Sequence, residues 1–175
     1  EVVQAHWPAA TVAVLSGPSF AAEVARGLPT ALTLGIADAA LGQALARQLS
    51  SRSLRVYWTV DRTGVEIGGA VKNVLALAAG IVIGHGLGEN ARAALLSRGL
   101  AELAALGAAM GARPETLMGL SGLGDLMLTA LSPTSRNTAF GIAVGQGMAV
   151  PAPLGPGGAV EGFWAPPRGT HLPPP

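Results

Sequence analysis

Cysteine is absent from this chain, which excludes disulfides and thiolate metal sites. Charged residues are scarce at 12%, and the net charge is only +1. With no basic stripe, there is no electrostatic footprint for nucleic acid. Histidine occurs at His6, His85 and His171, scattered without metal-ligand spacing, so no metal is expected. Long hydrophobic runs are missing too. The longest apolar helical stretch, Val74 to Ile83, is too short to cross a bilayer and follows Lys72. No signal peptide is visible. These absences describe a soluble, cytoplasmic protein without membrane insertion. The chain opens on Glu1 rather than methionine and is read as a fragment of a longer protein.

What is abundant is small and apolar. Half of the 175 residues are hydrophobic and 25 are glycine, a profile of closely packed helices. Lysine is nearly missing: of 11 basic residues, every one but Lys72 is arginine. Lysine differs from arginine in that a desolvated lysine can release its proton near neutral pH.

Punctuation by turn residues divides the chain. Thr11 to Leu15 reads as a strand ending in the turn Ser16-Gly17-Pro18-Ser19, with Ser19 as cap of a short helix from Phe20 to Arg26. Thr30 to Gly35 is a second strand. Asp38 caps a helix to Leu49, and Leu54 to Thr59 is a third strand. This β-α-β-α-β order is that of a doubly wound sheet. Three strands are too few for a whole one, so residues 1–60 read as the end of a larger sheet. From Asp61 the period becomes helical: 61–83, 88–110, 115–120, 125–131 and 136–144, with Ser121 to Gly124 as a loop. Residues 61–150 are therefore an all-α domain, and 151–175 a Pro/Gly-rich irregular tail.

Three places could carry chemistry. Lys72 shares a helix face with Gly68, Gly69, Leu75, Ala76 and Ala79. Two glycines inside a helix cost about 1 kcal/mol each relative to alanine. They make sense where a backbone or a ligand approaches, with Lys72 either beside the ligand or snorkelling outward from tight helix packing. Asp125 follows Gly122-Leu123-Gly124 and precedes an apolar turn, the position of an N-cap, which leaves its carboxylate free to face a pocket as well. Ser132 to Asn137 opens a helix, where free N–H groups and the helix dipole favour an anion. Capping alone accounts for Ser135 and Asn137. Arg136 is a cation at the wrong helix end unless an anion joins it. Gly84-His85-Gly86-Leu87-Gly88-Glu89 imitates a dinucleotide fingerprint, but Glu89 replaces the third glycine and a helix precedes it.

Taken in order, Ser16 to Glu23, Gly68 to Asn73, Gly88 to Arg92, Arg98 to Glu102, Gly122 to Asp125 and Ser135 to Asn137 resemble bacterial NAD(P)-dependent glycerol-3-phosphate dehydrogenase over residues 12–147, with a weaker echo at Val160-Glu161-Gly162. The resemblance implies the end of a dinucleotide-binding sheet followed by a mainly α-helical domain like the C-terminal one of 6-phosphogluconate dehydrogenase. It implies interconversion of sn-glycerol 3-phosphate and dihydroxyacetone phosphate with NAD or NADP, feeding glycerophospholipid synthesis, and it leaves room for a homodimer. Carried over residue by residue, Lys72 transfers the proton and binds substrate. Gly17, Ser19, Asp125, Ser135, Arg136 and Asn137 also bind substrate. Ala21, Arg136, Ala159 and Glu161 approach the cofactor. The family's Gly-rich fold and a further site lysine are expected before Glu1, so the chain alone is expected to be inactive. Phe163 to Pro175 departs from the family pattern. Two other readings stand beside this one. A related dehydrogenase for an unphosphorylated hydroxy acid is disfavoured by the 135–137 site. A non-catalytic anion-binding remnant is favoured by the unusual start and ending.

Overall fold

A computed structural model describes residues 2–148. The elements run α1 (Val2–His6), β1 (Ala13–Ser16), α2 (Ala21–Ala25), β2 (Thr30–Ile36), α3 (Ala39–Leu49), β3 (Leu54–Thr59), α4 (Arg62–Gly84), α5 (Gly88–Ala109), α6 (Pro114–Leu117), a π-helical turn (Leu120–Gly124), α7 (Asp125–Leu131) and α8 (Arg136–Gly145). The proline-rich tail, with Ala159 and Glu161, lies outside the described residues.

The sheet has strand order β1-β2-β3. The doubly wound pattern holds only for its second half: β2 and β3 are parallel, whereas β1 runs antiparallel to β2. Helix length accounts for the difference. The 11 residues of α3 rise about 16 Å and carry the chain back along the sheet. The five residues of α2 rise only about 7 Å and cannot serve as a crossover. Ser19 is not the cap of α2; Phe20 holds that position without a side-chain bond, and the Ser19 hydroxyl donates to Gly17 O at 3.3 Å. Asp38 does cap α3, accepting from Leu41 N at 3.0 Å. Leu34, Ile36, Ala46 and Val56 form the core between sheet and α3.

The helical part is organised around α4. Asp61 caps it, accepting from Gly64 N at 2.9 Å and, from across the fold, Arg113 N at 2.7 Å. Burial by itself would raise this carboxyl's pKa. The hydrogen bonds from Arg113 N, Gly64 N and Thr116 outweigh it, so the group sits below its ordinary value. Ala76 and Ala79 of α4 pack with Leu96, Leu126 and Ala130, and Ile67 packs with Leu103, Ala112 and Leu117. The apolar stretch that reads as too short in sequence is part of a 23-residue helix, which by length and composition could cross a membrane. In this fold it is the central helix of the bundle.

Glycines set how closely α4 and α8 approach. A Cβ at Gly80 would lie 2.3 Å from Thr138 O, one at Gly84 2.2 Å from Ile142 O, one at Gly141 2.2 Å from Leu77 O, and one at Gly145 2.5 Å from Ile81 O. The two backbones therefore touch along a reciprocal seam. Gly84 belongs to that seam, while Gly86 and Gly88 turn the chain at φ 73° and 82°, which disposes of the dinucleotide-like imitation.

Candidate active site

The two interior glycines of α4 are both occupied, each by something different. A Cβ at Gly68 would lie 2.3 Å from Ser121 O, so the backbone of the π-helical turn rests on the helix there. A Cβ at Gly69 would lie 2.9 Å from Ser16 Oγ, so a side chain from the end of β1 reaches across at that point. One turn further on, Lys72 does not snorkel into solvent. Its ammonium pairs with Asp125 Oδ2, and its side chain is only 22% exposed.

Asp125 is the first residue of α7 and its carboxylate does not cap the helix, contrary to the expectation from sequence. The π-helical turn runs directly into α7, so Gly124 is already helical and the side chain of Asp125 turns inward. Oδ2 accepts from Lys72 Nζ and from Ser16 Oγ at 3.5 Å; Oδ1 accepts from Thr129 Oγ1 at 3.4 Å. Burial to 2% exposure pushes the carboxyl's pKa above its ordinary value, and the bonds from Lys72, Thr129 and Ser16 only partly oppose this. Its place in the first turn of α7 also favours the charge.

The start of α8 closes the other side. Ser135 is a true cap, accepting from Thr138 N at 3.4 Å. Asn137 is not: its amide donates to Asn73 Oδ1 on α4 at 3.0 Å, and it is 3% exposed. Thr138 Oγ1 donates to Thr129 O at 2.7 Å, which ties α8 to the end of α7. Arg136 is exposed and lines the same space.

The result is a cleft of about 530 Å³ lined by residues that include Ser19, Ala21, Lys72, Asp125, Ser135, Arg136 and Asn137. With Gly69, which lines it too, eight of the residues singled out in sequence thus meet, although they span more than a hundred positions. Gly17 is not among the lining residues. It is buried, with φ 146° and Ala31 O 3.2 Å from where a Cβ would be, and it turns the chain into the cleft. Ala159 and Glu161 lie outside the described residues. Phe20, Asn73, Thr129 and Thr134 also line the cleft; the first two and Thr134 lie inside the motifs read from sequence but were given no role there, and Thr129 lies outside them. Thr129 had a signal, lying four residues after Asp125 and hence on its face. No group of three or more His, Asp or Glu suited to a metal occurs among the described residues.

The cleft thus places a lysine–carboxylate pair beside a capped helix start carrying an arginine. That arrangement can hold an anionic group at one end and move a proton at the other. Comparison with known proteins agrees in kind. The family model described as NAD-dependent glycerol-3-phosphate dehydrogenase C-terminus matches residues 61–164, and its N-terminus counterpart matches residues 1–42. A glycerol-3-phosphate dehydrogenase, NAD(P)+, of Methylobacterium radiotolerans is 64% identical over 151 residues, 86% of this chain and 45% of the relative. That of Cereibacter sphaeroides is 62% identical over 142 residues, 81% of this chain and 47% of the relative. The crystal structure of glycerol-3-phosphate dehydrogenase from Coxiella burnetii superposes with a TM-score of 0.81 at 48% identity, over 84% of this chain and 45% of that one. The chain spans about half the length of the curated relatives it matches.

Proposed function

We propose, because this chain belongs to the NAD-dependent glycerol-3-phosphate dehydrogenase family, that it supplies the substrate-binding and proton-transferring part of an enzyme interconverting sn-glycerol 3-phosphate and dihydroxyacetone phosphate. The observation that carries this reading is the Lys72–Asp125 pair facing the start of α8 across one cleft. In this reading residues 1–60 complete a dinucleotide-binding sheet and 61–150 form the substrate domain. The enzyme works in the cytoplasm without membrane insertion, as a homodimer, in the supply of glycerophospholipid precursors.

The phosphate lies at the start of α8, where Arg136, Ser135 and backbone N–H groups favour a dianion. Its binding energy fixes the three-carbon chain so that the carbonyl meets Lys72. Ser19 and Asn137 donate to or accept from the substrate hydroxyls, and Gly17, packed on Ala31 and Leu32 of β2, turns the chain so that Ser19 reaches the cleft. When NAD(P)H is bound, the chemistry it supplies is hydride donation to the carbonyl carbon. The carbonyl oxygen then gains negative charge and takes a proton from Lys72 Nζ, giving the secondary alcohol. Asp125 holds that ammonium in place and offsets the second positive charge near Arg136. Ala21 lines the cleft beside Ser19, and its small side chain would leave room there for the cofactor. Ala21 and Arg136, with Ala159 and Glu161, are the residues assigned to the cofactor.

Thermal unfolding of the chain with added ligands tests the reading. Glycerol 3-phosphate and dihydroxyacetone phosphate should raise the midpoint, because a ligand bound only by the folded state stabilises it. Glycerol, dihydroxyacetone and lactate should not. Equal responses to phosphorylated and unphosphorylated compounds would overturn it.

A further inference from the structure

The residue that occupies Gly69 has no part in the reading above. Ser16 ends β1, paired in register with Thr33 of β2, and is half-buried. Its hydroxyl lies over the helix where residue 69 has no side chain, 2.9 Å from where a Cβ would sit. From there it donates to Asp125 Oδ2, the oxygen that also accepts from Lys72. The next turn residue but one, Pro18, has its Cγ 3.6 Å from where a Cβ of Gly124 would be, directly before Asp125. The end of β1 therefore touches three things at once: the helix that carries Lys72, the carboxylate that holds Lys72, and the glycine that leads into that carboxylate.

We propose that Ser16 is a positioning residue of this site, holding the Asp125 carboxylate toward Lys72 from the sheet side. The proposal rests on the dehydrogenase reading for its consequence in catalysis, but its geometry does not depend on which substrate binds. Thr129 anchors Oδ1 from within α7, so Asp125 is gripped at both oxygens, once locally and once from another layer. A carboxylate held only by Thr129 and Lys72 could swing about its side-chain torsions with the flexible lysine. A second grip on Oδ2, from a strand end, removes that freedom. Gly69 has a defined purpose in this account: any larger residue displaces the Ser16 hydroxyl.

The chain's composition makes the test clean. Aspartate occurs only at Asp38, Asp61 and Asp125, so three carboxyl carbons can be followed by NMR in the 175-residue chain. The charged group facing Asp125 is Lys72 from α4, while Arg136 lines the same cleft; Ser16 and Thr129 are its neutral donors. In Ser16→Ala the Asp125 titration midpoint should move up by about half a pH unit, as expected on losing one long hydrogen bond to a charged group. Asp38 and Asp61 should not move. Ser16→Thr, which keeps the hydroxyl, should restore the midpoint. Gly69→Ala is a second, independent variant and should shift Asp125 upward as Ser16→Ala does. An unmoved Asp125 in Ser16→Ala, or equal movement of all three aspartates, overturns the proposal. Because no substrate is present, this result is read separately from the ligand-induced thermal shifts, which test the dehydrogenase reading.

Discussion

At Lys72 a single side chain tests the proposed proton transfer. In a full-length enzyme carrying this segment, Lys72→Ala should lower turnover by about 10²–10⁴-fold with a much smaller change in substrate affinity. Lys72→Arg should fail as well, since a guanidinium does not readily release its proton. Turnover near that of the unaltered enzyme would remove Lys72 from the reaction. Arg136→Ala should instead raise KM for the phosphorylated substrate and narrow its advantage over dihydroxyacetone, because a group remote from the reacting carbon contributes binding used for positioning. Ser121 offers the opposite sign. Its hydroxyl is buried at 1% exposure with no hydrogen-bond partner among the described residues. Ser121→Ala should therefore stabilise the fold, by about 1 kcal/mol in urea unfolding. The two buried aspartates pull stability in opposite pH directions. Asp61 has a lowered pKa, so its contribution is complete above its unfolded value of about 4 and is lost as pH falls through the folded one. Asp125 has a raised pKa, so the stability its neutral form allows at low pH is lost as pH rises through the folded value. Asp61→Ala should cost about 1–3 kcal/mol near neutral pH, and that difference should shrink on acidification.

Among the elements, the seam between α4 and α8 is expected to set the width of the cleft. Gly80, Gly84, Gly141 and Gly145 let the two helix backbones touch, and Asn137 at the start of α8 bonds Asn73 of α4. Gly80→Ala places a methyl group 2.3 Å from Thr138 O, a backbone atom that cannot rotate away. The helices must separate, at about 1–3 kcal/mol, and the start of α8 moves with them. Weaker binding of glycerol 3-phosphate should accompany the lost stability. Gly86→Ala is the control: nothing lies within 4 Å of the added carbon, and only the positive φ opposes it. It should cost about 1 kcal/mol and leave ligand affinity unchanged. If both variants weaken binding alike, the seam does not set the cleft. Sequence periodicity places α4 and α8 within a residue or two of their observed ends, because cap and breaker residues are local signals. It misassigns Asp125 and Asn137 as caps, because in each case a partner more than fifty positions away outcompetes the local backbone.

For the molecule as a whole, the described residues contain no strand followed by a Gly-rich turn and a helix start, the unit that holds a dinucleotide pyrophosphate. Purified by itself, the 175-residue chain should show no NADH- or NADPH-dependent reduction of dihydroxyacetone phosphate, while still responding to phosphorylated ligands. Turnover by this chain, free of host enzyme, would place the pyrophosphate-holding unit within it as well. The outer edge of β1 has no strand partner among the described residues, and β1 has no buried residue. An uncovered edge of this kind favours association, so the chain should aggregate at lower temperature than a full-length relative.

The sequence alone determined the succession of three strands and a helical region, since alternation, helical period and Gly/Pro punctuation act over a few residues. It also singled out Lys72, Asp125 and 135–137 by rarity and by ordered resemblance. It could say that something approaches Gly68 and Gly69, because a glycine inside a helix needs a reason. Only the tertiary structure decided what: the Ser121 backbone at one, the Ser16 hydroxyl at the other. The same holds for the antiparallel pairing of β1 and for the grip on Asp125. These depend on which layer meets which, and such contacts join residues that no local pattern connects.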